Sequence, residues 1–192
     1  MLTIQVAPDI TLVALQASHA PRLFELIDGG RAYLRRWQNW PDYIRTLQDV
    51  HDLIERSDFK LSHNNGFDLA IVQDGEIVGK VGLVYVNQDA NLTEIGYWMG
   101  QGYQGRGTMT RSVDALTAYA LDTMGLNEVR IRCAVGNTRS RAIPERLYFA
   151  YQGILPRKTW LHGQKIEEVL YTMDTRRWER LHQRRLNYSA KP

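Results

Sequence analysis

The chain predicts an α+β domain built on a central mixed, mostly antiparallel twisted sheet of about seven strands flanked by helices. Two observations carry this reading. The apolar pattern runs strand, helices, three strands, helix, strand, helix, hairpin, with period-two and period-3.6 stretches alternating. Gly102, Gly105 and Gly107 fall mid-chain between a strand pattern and a helix pattern, and no long parallel βαβ series follows them. A chain of 192 residues with 44% hydrophobic content buries one good core, and no linker, repeat or low-complexity segment divides it.

Taken in order, residues 10–15 alternate enough for a short strand. Ser18 is placed as an N-cap and Pro21 in the first turn of a helix whose apolar side is Leu23, Phe24, Leu26 and Ile27, ending at Gly29-Gly30. A second helical stretch from Arg31 carries Tyr33, Leu34 and Trp37 and stops before Pro41. Thr46 opens a third, with Val50, Leu53, Ile54 and Leu61 at helical spacing. Residues 67–72 and 77–86 read as a hairpin, because Asp74-Gly75 favours the tight turns that match strand twist. A strand over 93–99, the glycine turn and a helix over 110–126 follow. Then come a buried strand at 128–135, a short helix at 140–149, and a final hairpin of 154–161 with 167–173 around His162-Gly163.

Composition excludes several classes. No apolar run reaches the roughly 18 residues of a membrane span. The segment from Met1 to Val6 lacks the basic and apolar regions of a signal peptide. Cys133 is the single cysteine, which rules out an internal disulfide and suits a reducing compartment, so a cytoplasmic protein is expected. No Cys/His cluster has metal-ligand spacing, and no metal is expected. Residues 176–192 hold five arginines and one lysine against one glutamate, so this basic tail carries +5 of the net +3 and residues 1–175 carry −2. Aromatic residues are not interleaved with Lys and Arg, and no specific nucleic-acid binding is expected. The tail reads as a solvated, partly helical terminus, with a weak attraction to RNA as the alternative.

The chemistry concentrates at Gly102-Tyr103-Gln104-Gly105-Arg106-Gly107-Thr108-Met109-Thr110. Glycines let the backbone gather several N–H groups at one point, and a helix N-terminus adds partial positive charge, so strand, glycine turn and helix start make a phosphate site. Arg106 can add a full charge. An ordinary tight turn is the plainer reading. The Lys-Ser/Thr pair of a P-loop is absent, and so is the three-glycine dinucleotide fingerprint after a first strand.

Gln104-x-x-Gly107-x-Met109 resembles the pyrophosphate loop of the GNAT superfamily of N-acetyltransferases, with Met109 where Gly or Ala is usual. The stretch Asn137-Thr138-Arg139-Ser140-Arg141-Ala142-Ile143-Pro144-Glu145-Arg146-Leu147 is similar to the RimJ/RimL type, the ribosomal-protein N-terminal acetyltransferases, in which Met at that loop position is common. Trp37-Gln38-Asn39-Trp40-Pro41 and Glu94-Ile95-Gly96-Tyr97-Trp98-Met99 resemble the same subgroup, and the likeness spans roughly residues 9–175. The resemblance implies a GNAT-like domain over 1–175, splayed between its fourth and fifth strands, with acetyl-coenzyme A as acetyl donor. It implies that backbone at Tyr97, Trp98 and Met99 pairs with the pantetheine arm. The loop of Gln104, Gly105, Arg106, Gly107, Thr108 and Met109 would hold the pyrophosphate, and Asn137 would meet the pantetheine or anchor the crossing.

For catalysis it implies Ser140 as acid at the coenzyme sulfur, against a plain capping role. Glu94 is the candidate base, against a structural one. The tyrosine that many GNAT members place seven residues after the asparagine is Pro144 here, and the glutamate that subgroup members often carry as base aligns with Thr159. The acceptor implied is a protein N-terminal α-amine; a small amine such as a polyamine or antibiotic is an alternative, as is an acetyl-coenzyme A-binding module without turnover. A homodimer is a further expectation. Cys133 reads as core packing, His51, His63 and His162 as surface residues without partners, and Trp37, Trp40 and Tyr43 as either acceptor-pocket or helix-packing residues.

Overall fold

The computed structural model describes residues 1–189, with side chains through residue 183; the side chains of Arg184, Arg185 and Lys191 of the basic segment lie outside the described residues. In chain order the strands are β1 Thr3–Ala7, β2 Ile10–Ala14, β3 Phe67–Gln73, β4 Glu76–Asn87, β5 Leu92–Met99, β6 Glu128–Ala134, β7 Ala150–Ile154, β8 Thr159–Leu161, β9 Gln164–Ile166 and β10 Glu168–Asp174. The helices are α1 Ala20–Gly29, α2 Arg31–Leu34, α3 Leu47–Ser62, α4 Thr108–Ala118, α5 Thr138–Arg146 and α6 Thr175–Ser189.

Eight strands form one sheet in the order β1-β2-β3-β4-β5-β6-β10-β7, and β8 pairs with β9 apart from it. Every neighbour in the large sheet is antiparallel except β5 and β6. That parallel seam is short. It holds Leu92↔Glu128, Thr93↔Val129 and Glu94↔Arg130, after which β5 runs on to Met99 without β6 beside it. The two strands splay from that point and leave a gap through the sheet.

Helices cover both faces, and alternation along the strands assigns each side chain to one of them. On one face α4 buries Val113 and Leu116 against Leu12, Ile71, Val81, Ile95, Ile131 and Met173, all 2% exposed or less. Each such side chain contributes about 1.5–3 kcal/mol. On the other, Leu23 and Ile27 of α1 and Val50 and Ile54 of α3 close over Ala70 and Trp98. Thr46 caps α3 as expected: its Oγ1 accepts from the Asp49 N–H at 3.2 Å, and Asp49 accepts in return from the Thr46 N–H at 2.7 Å. Asp74 and Gly75, at φ 51° and 82°, turn β3 into β4.

The structure corrects the sequence reading in several places. The sheet has eight strands, not about seven, because residues 3–7 pair with β2 as an edge strand. The helix expected to be capped by Ser18 begins at Ala20, after a 3₁₀ turn that contains Ser18. The strand expected at 154–161 does not exist as one element. Gly153, at φ 98°, and Pro156, which has no N–H to give a ladder, end β7 at Ile154, and the chain folds the separate β8–β9 hairpin around His162-Gly163. Beyond Asp174 the chain enters α6, whose Trp178 is 4% exposed in the α4-side core. Its indole Nε1 donates to both carboxylate oxygens of Asp122, at 2.9 and 3.0 Å. Among the described residues no helix is long and apolar enough to cross a membrane.

Candidate active site

The end of β5, the glycine turn, the start of α4 and the start of α5 enclose a cleft of about 860 Å³ on the splayed gap. Gly105 and Gly107 hold φ of 84° and 76°, the left-handed region where an L side chain is strained. Gly107 is the N-cap of α4, so the first amides of the helix open onto the cleft. Tyr97, Trp98, Met99, Gln104, Gly105, Arg106, Gly107, Thr108, Met109, Asn137 and Ser140 all line it; Glu94 does not. Thr108 and Met109 turn their side chains away. The Thr108 hydroxyl donates to Gln73 Oε1 at 2.8 Å, and Met109 lies in the core, so the backbone of both is what the cleft meets.

Three arginines, Arg106, Arg139 and Arg146, line the cleft, and among the described residues no Asp or Glu does. Gln104 Oε1 ties the loop to its surroundings, accepting from Arg139 at 2.9 Å and from the Tyr33 hydroxyl at 3.3 Å. A ligand with several negative charges at one end suits this rim. Gly136 lies close to Trp37: a Cβ there would stand 3.0 Å from the Trp37 ring, which packs against the start of the crossing to α5. Trp40 packs on Trp98 with ring centroids 5.6 Å apart, whereas Tyr43 is 75% exposed.

At the inner end of the cleft three neutral hydrogen-bonding groups meet. Asn137 is the N-cap of α5, accepting from the Ser140 N–H at 3.3 Å, so the Ser140 hydroxyl is not spent on capping. That hydroxyl donates to the Tyr97 phenol at 3.2 Å and lies 3.3 Å from Cys133 Sγ. Tyr97 in turn donates to the Ser140 carbonyl at 3.0 Å. The reason is Pro144. Helical geometry would pair the Ser140 carbonyl with the N–H of residue 144, but proline has none, and the phenol takes the vacant acceptor. Burial first, and then the nearby Cys133, push the Tyr97 phenol well above its ordinary pKa; burial likewise raises the Cys133 thiol. Both stay protonated at neutral pH.

Glu94 stands on the opposite face of the sheet. Its Oε2 accepts from Arg132 Nε at 2.8 Å, with 10% of the side chain exposed. Arg132 Nη1 lies 3.9 Å from Glu168 Oε2, and the Thr159 hydroxyl donates to that same oxygen at 2.5 Å. Burial pulls the Arg132 pKa down, and the hydrogen bond and charge of Glu94, with the charge of Glu168, more than reverse it. His162 is not the partnerless surface residue expected. Its Nε2 meets the Arg35 carbonyl at 2.7 Å and its Nδ1 lies 3.4 Å from Asp42, clipping the β8–β9 hairpin to residues 35–42.

The family model for the acetyltransferase (GNAT) domain matches residues 9–150. The chain belongs to the GNAT acetyltransferase family. It is 31% identical over 93% of its length to YdaF of Bacillus subtilis (strain 168), provisionally named a ribosomal N-acetyltransferase, 98% of which is covered. It is 25% identical to the ribosomal-protein-serine acetyltransferase of Escherichia coli (strain K12), over 88% of this chain and 94% of that one. The solved structure of RimL, a ribosomal L7/L12 alpha-N-protein acetyltransferase with coenzyme A bound as a disulfide to one of its cysteines, superposes with a TM-score of 0.88. It is 23% identical, over 92% of this chain and 99% of that one, and shares its fold.

For an acetyltransferase with acetyl-coenzyme A as donor, the cleft fits the donor's anionic end. Sequence reasoning missed two features of the structure around the seam. Only the backbone of Tyr97 was singled out, whereas its phenol reaches Ser140. Arg132 and Glu168 were not singled out at all, although the alternation Arg130, Arg132 against Val129, Ile131, Cys133 marks which side chains of β6 turn away from the α4-side core.

Proposed function

We propose that this acetyltransferase moves the acetyl group of acetyl-coenzyme A to the N-terminal α-amine of a protein, with a ribosomal protein as the acceptor class. The observation that carries the reading is the two-sided site: a cleft with three arginines and no carboxylate on one side of the splayed seam, and the Glu94–Arg132–Glu168 cluster on the other. Such a site takes an anionic donor from one side and an amine from the other. The acceptor class comes from the names of the similar proteins: the ribosomal-protein-serine acetyltransferase of E. coli, RimL, and, provisionally, YdaF.

The thioester supplies an activated acetyl group, and the residues of this chain do the rest. Amides at 105–109 and the α4 N-terminus hold the pyrophosphate. Backbone at Tyr97, Trp98 and Met99, left without β6 beside it, pairs with the amide-bearing arm. Ser140 donates a hydrogen bond to the departing sulfur, which leaves as a thiolate and takes its proton from water, and Tyr97, itself too weak an acid to ionise, holds that hydroxyl in place. Direct transfer leaves Cys133 to packing. A cytoplasmic location and a homodimer belong to the same proposal, the latter tested by light scattering.

The deciding experiment mixes the protein with acetyl-coenzyme A and a panel of heptapeptides, N-blocked copies of them, and spermidine, and follows free thiol. Thiol release with free α-amines and none with blocked copies is the expected result. Release with spermidine alone would overturn the protein acceptor. Ligand-induced stabilisation without any release would make the chain a silent binding module.

A further inference from the structure

An attacking amine must lose a proton, and Thr159, at the position where the resemblance looks for a carboxylate, cannot accept one near neutral pH. The structure sets a carboxylate against it. The Thr159 hydroxyl reaches from β8 to Glu168 Oε2 on β10 at 2.5 Å, and 18% of the Glu168 side chain is exposed. Its other oxygen, Oε1, has no hydrogen-bond partner among the described residues.

Strand register places Glu168 relative to the leaving-group end. Glu168 pairs with Ala134 and Val169 with Cys133. Cys133 and Val169 face the α4-side core, so Glu168 and Ala134 face the other way. Cys133 in turn touches the Ser140 hydroxyl at 3.3 Å. Ser140 and Glu168 therefore stand at one level of the sheet, on opposite faces. Acyl transfer can use that separation, since the entering nitrogen and the departing sulfur are different substituents of one tetrahedral carbon and a separate group can serve each.

Glu94 is placed less well. It forms the last register pair of the seam, with Arg130. Ala134, beside Glu168, lies four residues further on, about 13 Å at roughly 3.3 Å per residue, where the gap is open. Glu94 is also engaged by the Arg132 guanidinium at 2.8 Å, and Glu168 by a neutral hydroxyl.

We infer that Glu168, anchored by Thr159, takes the proton of the acceptor amine, while Glu94 positions Arg132 beside it. The inference rests on the proposed transfer to an amine. The N–H bond breaks as nitrogen bonds the acetyl carbon, the proton passes to Oε1, and the exposed edge of Glu168 returns it to water. The groups facing Glu168 are Arg132 from β6 and Thr159 from β8, with Glu94 and Tyr85 acting through Arg132; Cys133 feels its charge across the sheet.

The test measures kcat, KM and pH dependence from about pH 6 to about pH 9 for wild type, Glu168→Gln, Glu94→Gln, Thr159→Val and the double variant Glu168→Gln/Thr159→Glu, using acetyl-coenzyme A and the peptide that wild type acetylates fastest. Glu168→Gln is expected to lower kcat on the order of 10²-fold across that range, with acetyl-coenzyme A affinity kept; the acidic limb set by the acceptor amine itself, with a pKa of about 7.7–8.0, stays in both proteins. The double variant, which returns a carboxylate to position 159, is expected to recover at least about tenfold of that. Glu94→Gln is expected to raise KM more than it lowers kcat. A Glu168→Gln enzyme within about threefold of wild type across that range overturns the inference alone. A wild type that acetylates nothing overturns the transfer reading and this with it. Should Glu168→Gln fold poorly, Thr159→Val decides: the carboxylate remains but its anchor is gone, and an unchanged kcat and profile overturn the assignment.

Discussion

Replacing Gly107 by alanine tests the anionic end of the cleft with one methyl group. A Cβ built at Gly107 meets nothing within 4 Å, so no clash contributes. The whole cost comes from φ, which is 76° at this N-cap. For an L residue that conformation costs roughly 1–2 kcal/mol. The variant can keep the native turn and lose stability, or relax the turn and lose affinity when the ligand restores it. A thermodynamic cycle through the bound state makes the two losses sum to the same roughly 1–2 kcal/mol, however they divide. If all of it falls on stability, the melting temperature drops by about 2–4 °C per kcal/mol for a chain of this length. If all of it falls on binding, Kd for coenzyme A rises about fivefold to thirtyfold. Urea unfolding and titration calorimetry measure the two terms. Gly102→Ala is the internal control, since its φ is not positive and its Cβ would also meet open space. A sum below about 0.5 kcal/mol for Gly107→Ala, or equal sums for the two variants, would refute the argument from backbone geometry.

Three further outcomes are expected. Ser140→Ala should lower kcat by about 10²-fold with coenzyme A affinity retained, and because Tyr97 acts through the same hydroxyl, Tyr97→Phe should add little to it; an unchanged kcat removes Ser140 from the leaving sulfur. Burial raises the pKa of both Cys133 and Tyr97 in the fold, so the native state holds protons that the unfolded chain gives up. Stability should therefore be intact below about pH 9 and fall as pH rises past about 10, and Tyr97→Phe should flatten that fall; parallel pH curves for the two proteins would count against it. Trp178→Ala should cost about 3–5 kcal/mol in urea unfolding, since the ring is 4% exposed and bonded to Asp122; a loss under about 1 kcal/mol would mean α6 is no part of the core.

How much of this was legible follows from the range of each signal. Gly105 and Gly107 could be read because a positive φ is a demand that one residue makes by itself, and Asp74-Gly75 for the same reason. The cleft's backbone contributors followed, since they adjoin the loop in sequence. Residues 3–7 were lost because five residues are too few to establish a period. The final hairpin was misdrawn because Pro156 was read through. Glu168 was invisible for a deeper cause: its partner Thr159 lies on another hairpin and Arg132 on another strand, and only the sheet register brings them together. Pro144 looked like a simple loss of a tyrosine. Its actual effect, freeing the Ser140 carbonyl for Tyr97, depends on a contact between β5 and α5.

The short β5–β6 seam has a mechanical consequence. Three register pairs join the two halves of an eight-stranded sheet along that line, so an amide-bearing ligand laid in the gap acts as a guest strand and completes a ladder that the polypeptide itself leaves open. Hydrogen exchange at those amides of residues 96–99 and 131–134 that face the gap is therefore expected to slow when coenzyme A binds.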